Sequence, residues 1–302
     1  MNKKRLVPKT FLSLKSTING PFDIIGDVHG CLEELEILLQ KLNYRKIEGI
    51  YKHPDGRTAV YLGDLADRGP HCLDTVKLVK GMVDAGTALY VPGNHCNKLA
   101  RYLIGRNVQV KHGMERTVEE LKELTEQERK HFANQFLELY NSVPPYLILD
   151  HGKLVVSHAG IKEDMIGRLS ERIIDFCFYG DANGEVDSDG LPIRRDWAKN
   201  YKGKPLIVYG HTPVPEAKLI NNTIDIDQGC CMGGYLTAFR YPEKEIVQVN
   251  ALAVYYDSPR FKPIISPKKE PFEEEEHEPL PPFPYWDHIE RIPEELKDIY
   301  LR

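Results

Sequence analysis

No stretch of this chain approaches the roughly 20 consecutive apolar residues that a membrane-spanning helix needs. The apolar run nearest the basic N-terminus, Phe11 to Leu14, is interrupted on both sides by lysine and is too short for a signal peptide. None of the six cysteines (Cys31, Cys72, Cys96, Cys177, Cys230, Cys231) stands in a C-x-x-C pair. A chain of 302 residues can bury enough apolar surface to do without disulfide staples. The expectation is reduced thiols, no membrane association and a cytoplasmic setting. A large excess of one charge is missing too: 40 Lys and Arg stand against 45 Asp and Glu, a net charge of −5, which gives no general attraction to nucleic acid. Also absent are a G-x-x-x-x-G-K-S/T phosphate loop and a ligase-type lysine motif. Lys52 to Gly56, with Pro54 and Asp55-Gly56, reads as a turn between strands.

Three regions differ in composition. Residues 1–20 read as an N-terminal arm, and residues 21–263 carry the patterned core. Residues 264–302 form a tail rich in proline and glutamate, with Pro271, Pro279, Pro281, Pro282 and Pro284 around the acidic run Glu273 to Glu276. Such a stretch buries little. Tyr285 to Tyr300 regains apolar residues; the expectation is a docked or frayed tail, with a short helix that docks on the core or on a protein partner as the alternative.

Within the core one pattern recurs. A run of four residues with strand composition is followed by a glycine or small residue and then by Asp, Asn or His. The runs are Phe22–Ile25, Ala59–Leu62, Ala88–Val91, Leu154–Ser157 and Leu206–Tyr209. What they present is G-D-V-H-G (26–30), G-D-L-A-D-R-G-P (63–70), G-N-H (93–95), S-H-A-G (157–160) and G-H-T (210–212). The glycines let the chain turn as each strand ends, so polar side chains collect where open α/β sheets hold ligands. Leu32, Leu35, Leu38 and Leu39 share one helix face, as do Leu73, Val76, Val79 and Val83 before a C-terminal Gly86. Thr117 with Glu120, and Thr125 with Glu128, have capping-box spacing and predict two helix starts. The later strands (Thr223–Ile226, Leu236–Tyr241, Ile246–Val249) have few helices between them, which predicts mixed or antiparallel pairing. The fold class is therefore α/β, with two packed mixed β-sheets flanked by helices.

Carboxylate, amide and imidazole ligands without a thiolate set suit Mn, Fe or Zn in five- or six-coordinate geometry. Two such ions sharing a carboxylate would hold water as hydroxide for in-line attack on phosphorus. A single D-x-H is weak evidence, but five motifs in order, each at a predicted strand end, are specific as a set.

As a set these motifs resemble the calcineurin-like metallophosphoesterases, and within them the phosphoprotein phosphatase group, over Phe22 to about Pro263. The resemblance implies a four-layer sandwich and two divalent metal ions, expected to be Mn²⁺, with Fe, Zn or Ni as alternatives. It implies that Asp27 and His29 bind the first metal, Asp64 bridges, and Asn94, His158 and His211 bind the second. It further implies His95 as general acid, Asp67 as its partner and Arg68 as the phosphate clamp. Arg194 and Arg195 are weaker candidates for substrate binding, with an exposed salt-bridged turn as the alternative. One departure stands out: Cys96 follows Gly93-Asn94-His95, where the wider family usually has an acidic residue. Gly20 to Cys31, Asn107 to Val110 with His112-Gly113, and Val208 to Pro215 resemble two bacterial groups. These are the asymmetric bis(5′-nucleosyl)-tetraphosphatases and the phosphatase modules of RNA-repair polynucleotide kinase–phosphatases. The expected function is hydrolysis of phosphate esters or anhydrides, with nucleotides such as dinucleoside tetraphosphates as substrates. The alternatives are repair of 2′,3′-cyclic phosphate or 3′-phosphate RNA ends, serine/threonine protein dephosphorylation, or binding by an inactive scaffold.

Overall fold

The structure is a computed structural model that describes residues 18–186 and 192–264. Of the predicted arm only residues 18–20 are described; the Ile18 carbonyl accepts from Asp150 N at 3.1 Å. The alternative terminal helix and the rest of 265–302 lie outside the described residues.

In chain order the elements are β1 (Phe22–Ile25), α1 (Leu32–Lys41), β2 (Arg45–Ile47), β3 (Ile50–Lys52), β4 (Thr58–Leu62), α2 (Cys72–Asp84), β5 (Ala88–Val91), α3 (Asn94–Leu103), α4 (Met114–Glu123), α5 (Glu126–Ser142) and β6 (Tyr146–Leu149). They continue with β7 (Leu154–Ser157), α6 (Glu171–Tyr179), β8 (Ala182–Val186), β9 (Pro192–Arg194), β10 (Leu206–Tyr209), β11 (Leu219–Ile220), β12 (Thr223–Asp225), β13 (Tyr235–Tyr241) and β14 (Glu245–Asn250). One sheet has the order β14-β13-β1-β4-β5, the other β11-β12-β10-β7-β6. In the first, β1, β4 and β5 run parallel and the β13–β14 hairpin joins antiparallel. In the second, β12, β10 and β7 run parallel between antiparallel edges. Both sheets are thus mixed, as predicted. Among the described residues no helix is long and apolar enough to cross a membrane.

The alternation of strand residues explains the layering. Phe22, Ile24, Val60 and Leu62 meet Leu154, Val156, Val208 and Ile224 in an apolar layer between the sheets. Their neighbours Ile25, Ala59 and Tyr61 face the other way, into a core shared with α1, α2, α3, α4 and α5. Val155 and Ile207 likewise turn outward to pack with α6 and Trp197. With apolar residues needed on both faces, the central strands read as continuous apolar runs.

Thr125 and Glu128 form the predicted capping box at the start of α5. Thr117 and Glu120 do not. They lie inside α4, which starts at Met114 after Gly113 at φ 90°. Both side chains serve distant backbone instead. Thr117 Oγ1 accepts from Asp67 N at 3.0 Å and donates to Asp67 Oδ1. The Glu120 carboxylate accepts from Cys72 N (2.7 Å) and Leu73 N (2.9 Å), capping the start of α2 across space. The same S/T-x-x-E spacing that makes a local cap also puts two side chains on one helix face, and here tertiary partners claim them.

Candidate functional site

Five strand ends converge at one edge of the sandwich. Asp27 follows β1, Asp64 follows β4 and Asn94 opens α3 after β5, while His158 follows β7 and His211 follows β10. Each sheet therefore contributes part of the cluster. The approach is close enough to exclude side chains: a Cβ at Gly63, where φ is +112°, would collide with the His158 ring, and one at Gly93 would collide with the Asp64 carboxylate. His29 (φ 47°), Asp67 (φ 72°), Arg68 (φ 72°) and His211 (φ 77°) all adopt left-handed backbone. Each such residue costs about 1–3 kcal/mol, a cost typical of sites where side-chain aim overrides local preference.

Hydrogen bonds orient the rings. His29 Nδ1 donates to the Ala66 carbonyl at 2.9 Å, which leaves the Nε2 lone pair facing the site, 3.9 Å from Asp64 Oδ2. His158 Nδ1 donates to the Leu62 carbonyl at 3.0 Å. Its Nε2 then sits 3.0 Å from Asn94 Oδ1, 3.0 Å from His211 Nδ1 and 3.4 Å from Asp64 Oδ2. Asp27 Oδ2 accepts from His211 N at 2.7 Å. His211 Nε2 is buried without a hydrogen-bond partner, and Asp27 Oδ1, which makes no well-aligned hydrogen bond, lies 3.1 Å from His158 Nδ1.

Such crowding of lone pairs repels unless a cation sits among them. The electrostatics say the same. Burial pushes His29 and His211 well below the ordinary imidazole value, reinforced by Arg68 and His95 for the first and by His158 and Arg194 for the second. Both are held neutral, as metal ligands must be. His158 goes the other way. Burial opposes its charge, but the Asp64 and Asp27 carboxylates outweigh it and raise the ring to about 9. The two carboxylates thus draw positive charge onto this ring, a place that a bound cation would take. Two groups of side chains have ligating atoms close enough to share an ion, His29 with Asp64 and His95, and Asp64 with His158 and His211. Asp64 belongs to both. The donor set, its orphaned atoms and its charge fit divalent metal ions.

Beside this cluster His95 N donates to Asp64 Oδ1 at 2.9 Å, and His95 Nδ1 donates to Asp67 Oδ2 at 2.6 Å. Asp67 is fully buried and is held from behind by Thr117. Arg68 N donates to the Gly113 carbonyl, and its guanidinium nitrogens rest 3.0 Å from His29 Nε2 and 3.1 Å from His95 Nε2. The Tyr256 ring lies 5.2 Å from the guanidinium carbon, within cation–π range. Cys96 is buried with its thiol 3.9 Å from the Gly63 carbonyl. Burial and Asp64 push that thiol up to about 12, so it packs as an inert small residue.

Arg194 lines the same cavity, of about 490 Å³, as His29, Asn94, His95 and His211. Its Nε donates to the Tyr179 carbonyl at 3.0 Å. Arg195 lines an adjoining groove with Asp181 and Asp196 instead. Several site neighbours carried no motif in the sequence. Asp227 is buried beside Asp27, and burial, with the charge of Asp27, pushes its carboxyl well above the ordinary value. Tyr256, Lys98 and His112 also line the cavity. The usable signals are Asp225-Ile226-Asp227 at a strand end and His112-Gly113 within the family resemblance; Tyr256 and Lys98 sit in a loop and on a helix face without a diagnostic spacing.

The Calcineurin-like phosphoesterase family model matches residues 20–244. A bis(5′-nucleosyl)-tetraphosphatase PrpE, asymmetrical, of Halalkalibacterium halodurans is 53% identical over 82% of this chain and 97% of its own length. A protein of the same name from Bacillus subtilis is 51% identical over 80% of this chain and 99% of its own. A solved structure of a candidate diadenosine tetraphosphatase superposes with a TM-score of 0.53 at 21% identity, covering 78% of this chain and 98% of that one, a likeness of fold.

Proposed function

The chain belongs to the calcineurin-like phosphoesterases, and from that premise we propose that it is a metal-dependent hydrolase of dinucleoside tetraphosphates that cuts the phosphate chain off-centre. The names of its half-identical relatives support the substrate and the asymmetry. The observation that carries the chemistry is the shared position of Asp64 in two groups of side chains whose ligating atoms lie close enough to hold an ion. In this reading Asp27, His29, Asp64, Asn94, His158 and His211 would hold two divalent ions, Mn²⁺ in the cell. When bound, the ions would activate water and neutralise charge on the phosphoryl group.

The chain's own residues do the rest. Arg68 exchanges the imidazole nitrogens it now faces for two phosphate oxygens, which its planar fork matches. His95 delivers a proton from Nε2 to the departing oxygen, and Asp67 on Nδ1 keeps the ring turned for that task. Arg194 takes a further phosphate oxygen from the far side of the cavity. The catalytic unit is residues 21–263. Six unpaired, buried cysteines fit a reducing cytoplasm.

The test is a rate comparison with Mn²⁺ on diadenosine tetraphosphate, a 2′,3′-cyclic nucleotide, 3′-phosphorylated RNA and a phosphopeptide. The expected result is the highest kcat/KM on diadenosine tetraphosphate with AMP and ATP as products. A clear preference for the RNA end or the phosphopeptide would overturn the substrate assignment, and no turnover of any of them would overturn the hydrolase.

A further inference from the structure

An off-centre cut leaves open which product departs. Water can attack the outer phosphorus and expel the nucleoside triphosphate, or attack its neighbour and expel the monophosphate. The two halves of the cleft differ in a way that chooses. On the His95 side, Lys98 follows one helical turn later on α3, so its ammonium projects from the same face as the ring that supplies the proton. His112 interacts with both Lys98 and His95, Arg260 lines the same cavity, and Asp64 is the one carboxylate among the residues lining it. Lys98 Nζ donates to the Lys111 carbonyl at 2.6 Å, and no ion pair is formed by Lys98 among the described residues. Burial, with Arg68 and Arg101, depresses its pKa despite the pull of Asp67 and Glu115. The nearby Glu115 carboxylate is occupied by Gly113 N at 2.8 Å. On the opposite side, beyond His211 and Arg194, the groove mixes Arg195 and Lys218 with Asp181, Asp196 and Glu216. That side is near neutral and suits a nucleoside with one phosphate.

We propose that Lys98, with His112, forms a subsite for the three-phosphate arm of the substrate, and that this arm is the leaving group; the inference rests on the asymmetric tetraphosphatase reading above. The water oxygen bonds to the outer phosphorus. The bond from that phosphorus to the first bridging oxygen breaks, and the electron pair leaves with the bridging oxygen. That oxygen becomes a terminal oxygen of the nucleoside triphosphate and takes its proton from His95. The monophosphate therefore carries the solvent oxygen.

Hydrolysis of diadenosine tetraphosphate in ¹⁸O-labelled water, with both products read by mass spectrometry, tests the direction. Label in AMP is expected, and label in ATP would overturn the proposal while leaving the tetraphosphatase reading intact. ADP as sole product, or intact substrate, would instead overturn that reading and the subsite with it. Lys98→Ala tests the subsite itself. Losing a charge-assisted contact is expected to lower kcat/KM on diadenosine tetraphosphate about 10- to 100-fold more than on p-nitrophenyl phosphate, with Lys98→Arg restoring the ratio. An unchanged ratio in Lys98→Ala would remove Lys98 from the subsite.

Discussion

Replacing Thr117 by valine keeps the shape of the side chain and deletes one oxygen. That oxygen donates to Asp67 Oδ1 and accepts from Asp67 N. Both groups are buried, and each left without a partner costs about 1–3 kcal/mol, or roughly 2–6 kcal/mol together. At about 2–4 °C per kcal/mol for a chain of this size, the thermal midpoint is expected to fall by roughly 4–24 °C. The catalytic effect should be selective. Asp67 turned by even a small angle no longer holds Nδ1 of His95 at 2.6 Å, so proton delivery suffers while metal binding does not. On an unactivated alkyl phosphate, whose leaving oxygen needs that proton, kcat should drop about 10- to 100-fold, a fraction of what a general acid contributes. On p-nitrophenyl phosphate, whose leaving group barely needs one, the drop should stay under about 3-fold. Thr117→Ser restores both. Equal losses on the two substrates, measured on folded protein, would refute the claim that Thr117 acts through His95.

Gly63→Ala sets a Cβ against the His158 ring at φ +112°, so purified protein should retain measurably less bound metal by elemental analysis; wild-type metal content would count against His158 as a ligand. Chelation should abolish turnover, and Mn²⁺ at about 100 times its Kd should raise stability by about 2.7 kcal/mol, read as a higher thermal midpoint; an unmoved midpoint would argue that the cluster holds no ion. Asp23 is fully buried between Arg57 (Nε 3.0 Å), Arg240 (Nε 3.2 Å) and the Tyr44 hydroxyl (3.1 Å), so Asp23→Ala removes charge-assisted hydrogen bonds while Arg57 keeps Glu243, and should cost about 1.5–3 kcal/mol in chemical denaturation. Arg57 also holds Glu243 below its ordinary value of 4.5 through a hydrogen bond. A lowered folded-state pKa means the stabilisation is present above 4.5 and lost as pH falls through the folded value, so Glu243→Gln should lower the neutral plateau of a urea-midpoint profile slightly and meet the wild-type curve at acid pH, which flattens the acid limb.

What the sequence reveals follows from the range over which each residue acts. The strand ends could be read directly, because apolar runs, turn glycines and ligating side chains are contiguous in the chain. Thr117 and Glu120 were misread because one spacing serves both a local cap and a shared helix face, and only the fold decides which. The Asp23–Arg57 pair was hidden because its members are 34 residues apart and each, taken alone, looks like a solvated charge. Lys98 and Tyr256 reach the cavity from a helix face and a loop without periodicity, so no pattern pointed to them. The hairpins β2–β3 and β8–β9 are short, and every residue of β2 is exposed, which leaves little apolar signature.

The apolar layer between the sheets also acts as a caliper. His158 Nε2 and Asn94 Oδ1 face each other at 3.0 Å from opposite sheets, whereas one residue of strand advances about 3.3 Å. Sliding one sheet along the other by even a fraction of that step would open the jaws, whatever the side chains at the tips. Trimming Val156 or Val60, far from any substrate, would therefore register first as looser metal retention and only later as a lower melting point. Metal titration of this protein is in effect a gauge of how well its interior is packed.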